Sequence, residues 1–160
     1  MIGLGGNIGT AAELIDRFGR ARQALALLGE HLQSAPLFRT APLGPQQAPF
    51  LNTAVRVVIE GVQPDELIAS VLEIERLLGR TRDGERNGPR LIDLDVLIWG
   101  TRVIRMPGFD VPHPRLRDRR FALEPVVALL GEDHALPQGR VGDLLDGVRD
   151  QACEQIADHW

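Results

Sequence analysis

The spacing of apolar residues in this chain predicts a core of strands and helices in the order strand, helix, strand, strand, helix, strand. The predicted strands cover residues 1–4, 32–39, 52–60 and 91–99. The predicted helices run from Thr10, where Glu13 completes a capping box, to Gly29, and from Pro64 to Gly79. Beyond them the sequence predicts a short strand near Val103, a helix from about Arg115 and a last helix over 142–148.

This order of elements is typical of an α+β fold with a ferredoxin-like βαββαβ core. We expect a mostly antiparallel sheet with helices packed on one face, plus C-terminal helical additions. The length of 160 residues fits one domain, residues 1–160. Such a fold hosts many functions, so the function must be inferred from particular side chains.

The strand over 91–99 carries two carboxylates in an otherwise apolar segment. Asp93 and Asp95 occupy odd positions, whereas the even positions are aliphatic. Strand side chains repeat every two residues, so both carboxylates point the same way, with Cα atoms about 6.5 Å apart. Two divalent cations bridged by phosphate oxygens would compensate the paired charge. The alternative is a solvent-facing strand with solubilising aspartates, which the poor strand propensity of Asp disfavours.

Four arginines directly precede this strand: Arg80, Arg82, Arg86 and Arg90. Guanidinium groups match phosphate oxygens in geometry and could reach them from a loop that closes on substrate, although a charged run can also be a solvated surface. A Walker-type phosphate loop is excluded because the chain has no lysine, and a dinucleotide fingerprint starting at Gly3 fails because Ile8 stands where glycine is needed.

Three other positions suit a small-molecule site, and each also has a plain structural interpretation. His113 lies between two prolines that fix its backbone, but a loop histidine can simply be a surface residue. Phe121 could stack on a ligand or belong to the core. Phe50 and Asn52 combine an aromatic plane with an amide at a strand start, where they could equally plug a loop and initiate the strand.

The overall composition excludes several classes of partner. A net charge of −4 and a pI near 5.5 give no general attraction to nucleic acid or to an anionic membrane, so we expect neither as a partner. The single cysteine, Cys153, excludes an internal disulfide and a multi-cysteine zinc site. The sequence contains no signal peptide and no apolar run of membrane length, which predicts a cytoplasmic location.

Several motifs, taken in order, closely resemble the 6-hydroxymethyl-7,8-dihydropterin pyrophosphokinase family of folate biosynthesis. They are Leu4-Gly5-Gly6-Asn7, the segment 38–46, Phe50-Leu51-Asn52, the segment 74–82, Gly88-Pro89-Arg90-Leu91-Ile92-Asp93-Leu94-Asp95, and Pro112-His113-Pro114-Arg115 with Arg119 and Phe121. The resemblance implies transfer of the terminal diphosphate of ATP to the hydroxymethyl group of the reduced pterin, releasing AMP.

The same resemblance implies a role for each matching residue. Asp93 and Asp95 would bind two Mg²⁺ ions, and Arg80 and Arg90 would act on the reacting phosphates. Nucleotide contacts would come from Glu75, Arg82, His113 and Arg119. Pterin contacts would come from Thr40, Pro42, Leu43, Phe50, Asn52 and Phe121. We expect a monomer whose functional neighbours are other enzymes of the folate pathway.

Two other classes of function stay open at this point. A ferredoxin-like module could bind a metabolite without catalysing a reaction, although it would not need paired aspartates beside an arginine loop. A metal-dependent phosphatase or nuclease would also use paired carboxylates. Release of orthophosphate instead of AMP would indicate the second class.

Overall fold

The computed structural model describes residues 1–42, 46–81 and 88–160, and its first part forms the predicted βαββαβ unit with the second strand divided in two. This unit comprises β1 (Ile2–Gly6), α1 (Ala11–Ala26), β2 (Glu30–Ser34), β3 (Leu37–Thr40), β4 (Phe50–Val58), α2 (Pro64–Leu77) and β5 (Asp93–Val96). The C-terminal part adds β6 (Ile104–Met106), β7 (Phe109–Val111), a 3-10 turn (Leu116–Asp118), α3 (Arg120–Leu130), β8 (Ala135–Leu136), β9 (Gly139–Arg140), α4 (Val141–Asp146) and β10 (Cys153–Ala157).

The main sheet is antiparallel at every described pairing and has the order β10-β3-β4-β1-β5, with β2 also pairing with β4. The α+β class and the ferredoxin-like core are therefore confirmed. The single strand predicted over 32–39 is wrong in detail, because it is divided into β2 and β3 at Pro36, which has no N–H to donate. The short strand predicted near Val103 is present as β6, whereas β7, the hairpin β8–β9 and the edge strand β10 were not predicted.

Helices cover both faces of the sheet. Leu4 and Val55 face the core beneath α1 and α2, which also contains Phe18 and Val71. On the opposite face, Ala54 belongs to a second core that includes residues of α3 and α4. The expected packing of the core helices on one face is confirmed for α1 and α2, and the C-terminal helices, which the sequence predicted only as additions, lie on the opposite face. Consequently, a ligand on that opposite face lies between the sheet and the C-terminal elements.

Both long helices begin where local signals predicted. The Thr10 N–H donates to Glu13 Oε2 at 2.7 Å and the Glu13 N–H donates to Thr10 Oγ1 at 3.3 Å, so the predicted capping box is confirmed. Helix α2 begins at Pro64 as predicted. The helices end slightly earlier than predicted, at Ala26 and Leu77. No helix within the described ranges is both long and apolar enough to cross a membrane.

Candidate active site

The pairing of three sheet strands determines which residues form the base of the candidate site. Across three neighbouring strands, Asn52 of β4, Gly5 of β1 and Asp93 of β5 stand in one row. In the next row Gly3 stands between Ala54 and Asp95. Directly paired residues project from the same face of an antiparallel sheet, so both carboxylates share a face with the amide of Asn52. The shared face predicted for the two aspartates is confirmed.

The middle position of the first row requires glycine. A Cβ atom at residue 5 would lie 2.9 Å from Asn52 Oδ1, closer than side-chain carbons approach an oxygen. The side chain of Asn52 is itself fixed, because its Nδ2 donates to Thr40 Oγ1 at 2.7 Å and both residues are buried. Gly5 therefore leaves open the space between the amide and Asp93.

Asp93 is held by two arginines from the predicted phosphate-binding loop. Arg80 donates to Asp93 Oδ1 and Arg90 donates to Asp93 Oδ2. Arg80 also donates to Glu75, whose Oε1 accepts the backbone N–H of Leu94 at 2.7 Å. Although burial opposes charging of Arg80, its two carboxylate partners raise its pKa. These contacts place two guanidinium groups beside the Asp93 carboxylate.

Glu75 has a second role that the sequence did not indicate. Its side chain is only 2% exposed, yet it lies on α2 and bonds to the backbone of the strand that carries both aspartates. A buried carboxylate needs hydrogen-bond donors or opposite charge. Here Leu94 and Arg80 supply them, so Glu75 fixes the position of β5 and Arg80 together.

Asp95 and His113 lie in a partly desolvated region. Burial and, secondarily, the negative charge of Asp93 raise the pKa of Asp95. Burial also lowers the pKa of His113, and the attraction of Asp95 only partly opposes this shift. The His113 backbone N–H donates to Leu97 O at 2.9 Å, and its Nδ1 accepts the Arg115 N–H at 3.2 Å. The ring is thus oriented by its own loop.

Two cavities meet at these residues. The first is lined by nine residues singled out from the sequence, namely Thr40, Phe50, Asn52, Arg90, Asp93, Asp95, His113, Arg119 and Phe121. The second is lined by Glu75 and Arg80 together with apolar residues of α2 and the hairpin β6–β7. Asp93, Asp95 and His113 line both cavities. The paired carboxylates therefore lie where ligands in the two cavities would meet.

Two arginines also lie close to aromatic rings of the first cavity. The Cζ of Arg90 is 6.0 Å from the ring centroid of Phe50, and the Cζ of Arg119 is 5.4 Å from that of Phe121. Such contacts are favourable because the ring face is electron-rich. They connect the aromatic residues of one cavity to cationic groups beside the carboxylates.

Asn7 is a residue of this region whose importance the sequence did not reveal. It is 5% exposed, and its Oδ1 accepts the Arg90 N–H at 2.9 Å while its own N–H donates to Arg90 O at 3.0 Å. Its Nδ2 donates to Gln47 Oε1 at 3.0 Å and to Ala48 O at 3.1 Å. Asn7 therefore ties Arg90 to the segment that leads into Phe50.

Some predicted site residues cannot be placed in this arrangement. Leu43, Arg82 and Arg86 lie outside the described residues. Pro42 directly follows Ala41, which lines the first cavity. Sequence reasoning missed the wall residues Gly3, Gly5 and Leu97, whose contribution depends on strand register.

The donor set fits hard divalent cations that retain non-protein ligands. Asp93 and Asp95 supply carboxylate oxygens on one face, which is the ligand type that Mg²⁺ prefers. Among the described residues, no cluster of three or more His, Cys, Asp or Glu side chains suits a metal. Phosphate oxygens and water would therefore have to complete the coordination, as is usual for Mg²⁺ bound with a polyphosphate.

Paired carboxylates, convergent arginines and an adjoining aromatic cavity define a site suited to a polyphosphate and a flat ligand. The comparisons agree with this class of site. A sequence profile of the 7,8-dihydro-6-hydroxymethylpterin-pyrophosphokinase (HPPK) family matches residues 1–131. The chain belongs to this family, and the resemblance stated from its motifs is confirmed.

Individual relatives extend this finding. The chain is 41% identical over 136 residues to the mitochondrial folate synthesis bifunctional protein of Pisum sativum. The aligned region covers 82% of this chain and 25% of that protein. The chain is 40% identical over 134 residues to the 2-amino-4-hydroxy-6-hydroxymethyldihydropteridine pyrophosphokinase of Bacillus subtilis, covering 80% of this chain and 75% of that one. It is 29% identical over 159 residues to the Haemophilus influenzae protein of the same name, covering 99% and 92%.

The matched proteins differ in size. The chain spans about a quarter of the length of the plant bifunctional proteins that it matches. In these larger proteins, the region similar to this chain is therefore one part of a longer polypeptide.

Proposed function

We propose that this protein transfers the terminal diphosphate of ATP to the hydroxymethyl group of 6-hydroxymethyl-7,8-dihydropterin, giving AMP and the pterin diphosphate. One observation carries the proposal: Asp93, Asp95 and His113 line both cavities at once. A nucleotide in the second cavity would place its phosphates at these residues, next to an acceptor hydroxyl in the first. Membership of the pyrophosphokinase family supports this assignment.

The charged residues suit transfer of a phosphorus group because such reactions depend mainly on positioning and charge neutralisation. Arg80 and Arg90 flank Asp93 and would contact the reacting phosphates. His113, which lines both cavities, and Arg119, which lines the first, would bind the nucleotide, with Glu75 holding Arg80 in place. Arg82 belongs to the same proposed set. No described residue is required as a strong general base.

Asp93 and Asp95 would hold two Mg²⁺ ions together with the phosphates. The ions would neutralise phosphate charge and orient the attacking and leaving oxygens. The role of the protein is then to keep both carboxylates on one face of β5, which the pairing with Gly3 and Gly5 provides. Arg80 and Arg90 also donate to Asp93 and contribute positive charge beside it.

The first cavity suits the pterin. Phe50 and Phe121 provide aromatic surfaces in its wall, and Asn52 with Thr40 provides fixed polar groups. A reduced pterin has the matching properties, a flat heterocycle with hydrogen-bonding groups along one edge. The segment through Pro42 and Leu43 would complete this pocket.

The proposal also covers the domain organisation, oligomeric state, location and pathway of the protein. Residues 1–160 would act as one catalytic domain, monomeric and cytoplasmic, with other enzymes of the folate pathway as functional neighbours. The plant relatives named as folate synthesis bifunctional proteins support this last point. The comparisons give no support to a non-catalytic module or to a phosphatase or nuclease.

The direct test is formation of AMP that depends on the pterin. The full chain is incubated with ATP, Mg²⁺ and the reduced pterin, and the products are identified by mass. We expect AMP and a pterin diphosphate in equal amounts, and neither without pterin. Pterin binding without ATP turnover would instead indicate a metabolite-binding module, and orthophosphate release a phosphatase.

Phe121→Ala and Asn52→Ala should each weaken pterin binding about tenfold while leaving ATP binding nearly unchanged. Stacking contributes about 0.5–1.5 kcal/mol beyond area burial, and an unmatched buried polar edge costs roughly 1–3 kcal/mol. Titration of each ligand measures both affinities, with circular dichroism to verify folding. Phe109→Ala, at the wall of the second cavity, is the matched control and should spare pterin binding. Equal losses of ATP and pterin affinity in Phe121→Ala would contradict the assignment.

A further inference from the structure

At the start of α3, two residues of the candidate site flank an arginine that contacts a different part of the chain. Arg119 and Phe121 line the first cavity. The guanidinium of Arg120 instead donates to the carbonyl oxygens of Arg149 at 2.8 Å and Gln151 at 2.9 Å, and to Glu124 Oε1 at 2.8 Å. Arg120 thus joins the first turn of α3 to a segment about 30 residues further along the chain.

Gln151 completes this junction from the other side. The residue at the N-cap of α3, Arg119, makes no side-chain capping bond. Instead, Gln151 Oε1 accepts the Arg120 N–H at 3.0 Å, and Gln151 Nε2 donates to Asp118 O at 2.9 Å. The first backbone groups of a helix need partners from outside it, and here one distant amide satisfies groups on both sides of Arg119.

The same segment continues to the opposite wall of the cavity. Shortly after Gln151 the strand β10 begins, and its first residue, Cys153, pairs with Thr40 of β3. Thr40 lines the cavity and accepts the amide hydrogen bond of Asn52. Residues 149–153 therefore connect the wall that carries Phe121 to the wall that carries Thr40.

We propose that Arg120 and Gln151, which we call the C-terminal anchor, are positioning residues that set the location of Phe121 for the pterin. The inference rests on the proposed function. The first turn of a helix has backbone N–H groups without partners inside the helix, and helix ends open more readily than helix centres. The anchor holds this turn against the segment that leads into β10. Ordering an aromatic wall before the ligand arrives lowers the entropic cost of binding. Arg149 and Gln151, which contact the first turn of α3, lie beyond the residues 1–131 that the family profile matches.

The test compares three variants of the full chain. Gln151→Ala removes both amide hydrogen bonds, and Gln151→Glu keeps an acceptor for the Arg120 N–H but loses the donor to Asp118 O. Arg149→Ala is the matched control, because it removes an exposed ion pair with Asp146 at 2.6 Å and keeps the carbonyl that Arg120 uses. From the usual net value of a hydrogen bond, we expect about threefold to tenfold weaker pterin binding in both Gln151 variants. The control should change it by less than about twofold.

A double-mutant cycle separates positioning from general destabilisation. If the anchor acts through Phe121, Gln151→Ala should have almost no further effect on pterin affinity in a Phe121→Ala background. An equal loss in both backgrounds, or no loss in either, would overturn the proposal. If Gln151→Ala does not fold, the same cycle is completed with Gln151→Glu.

Hydrogen exchange distinguishes failure of the anchor from failure of the proposed function. Gln151→Ala should accelerate exchange selectively at the amides of residues 120–122, while Arg149→Ala should not. Unchanged exchange there would overturn the anchor even if the unaltered protein made AMP. Absence of pterin binding by the unaltered protein, with accelerated exchange in the variant, would overturn the proposed function and leave the anchoring contact supported.

Discussion

Asp95→Asn is expected to lower turnover by about 10³-fold or more, because a bound divalent cation supplies several kcal/mol of charge stabilisation in reactions of this kind. The variant should nevertheless be more thermally stable than the unaltered protein at neutral pH without Mg²⁺. Burial and the charge of Asp93 raise the pKa of Asp95. A carboxyl with a raised pKa in the folded state favours folding when protonated and opposes it once pH rises above that pKa. Asparagine removes the charge and keeps the shape.

The measurement is single-turnover AMP formation at several Mg²⁺ concentrations, together with thermal unfolding. Asp16→Asn, an exposed carboxylate on α1, is the control and should change neither quantity appreciably. Near-normal activity of Asp95→Asn at an ordinary Mg²⁺ concentration would contradict the assignment of Asp95 as a metal ligand. A large loss of stability would instead identify Asp95 as a structural residue.

Arg90→Ala is expected to lower the rate of the chemical step by about 10²–10³-fold while weakening ATP binding much less. Charged donors placed where charge changes in the transition state typically contribute on this scale when one is removed. Arg90 is suited to this role because its guanidinium already lies against Asp93 and near the ring of Phe50. Arg80→Ala should behave similarly, although its bond to Glu75 adds a structural contribution.

Calorimetric affinity for ATP is compared with the single-turnover rate in each variant. Arg90→Lys separates charge from geometry, since an ammonium cannot reproduce the two-pronged guanidinium contact. Arg76→Ala removes an exposed arginine paired with Glu73 on the same helix as Glu75, and it should leave both quantities unchanged. Equal losses of ATP affinity and rate in Arg90→Ala would mean that Arg90 stabilises the bound ground state as much as the transition state.

Most elements of the βαββαβ core could be predicted because the sequence signals that determine them are local. Capping at Thr10, proline at the start of α2 and the alternation around Asp93 each determine an element within a few residues. The strand β10 was missed because its pairing with β3 depends on residues more than a hundred positions away. For the same reason, the face on which α3 and α4 pack was not predicted.

The candidate site was predictable to the extent that its residues have distinctive chemistry. Aspartates, arginines and phenylalanines stand out in a sequence, and six residues of these types that were singled out from it line one cavity. Gly5 and Asn7 belong to the motif Leu4-Gly5-Gly6-Asn7, but their structural roles could not be predicted, because these come from register opposite Asn52 and from bonds to Arg90. The pairing of Arg80 with Glu75 and Asp93 likewise depends on how α2 packs against β5.

In the proposed reaction, two phosphorus atoms move together from the nucleotide to the pterin. The most direct measurement follows all phosphorus signals by ³¹P NMR while the full chain acts on ATP, Mg²⁺ and 6-hydroxymethyl-7,8-dihydropterin. We predict that the β and γ signals of ATP are replaced together by those of a pterin diphosphate, while the α phosphorus remains in AMP in equal amount. Formation of ADP with a pterin monophosphate, or of free orthophosphate without a pterin product, would contradict the account.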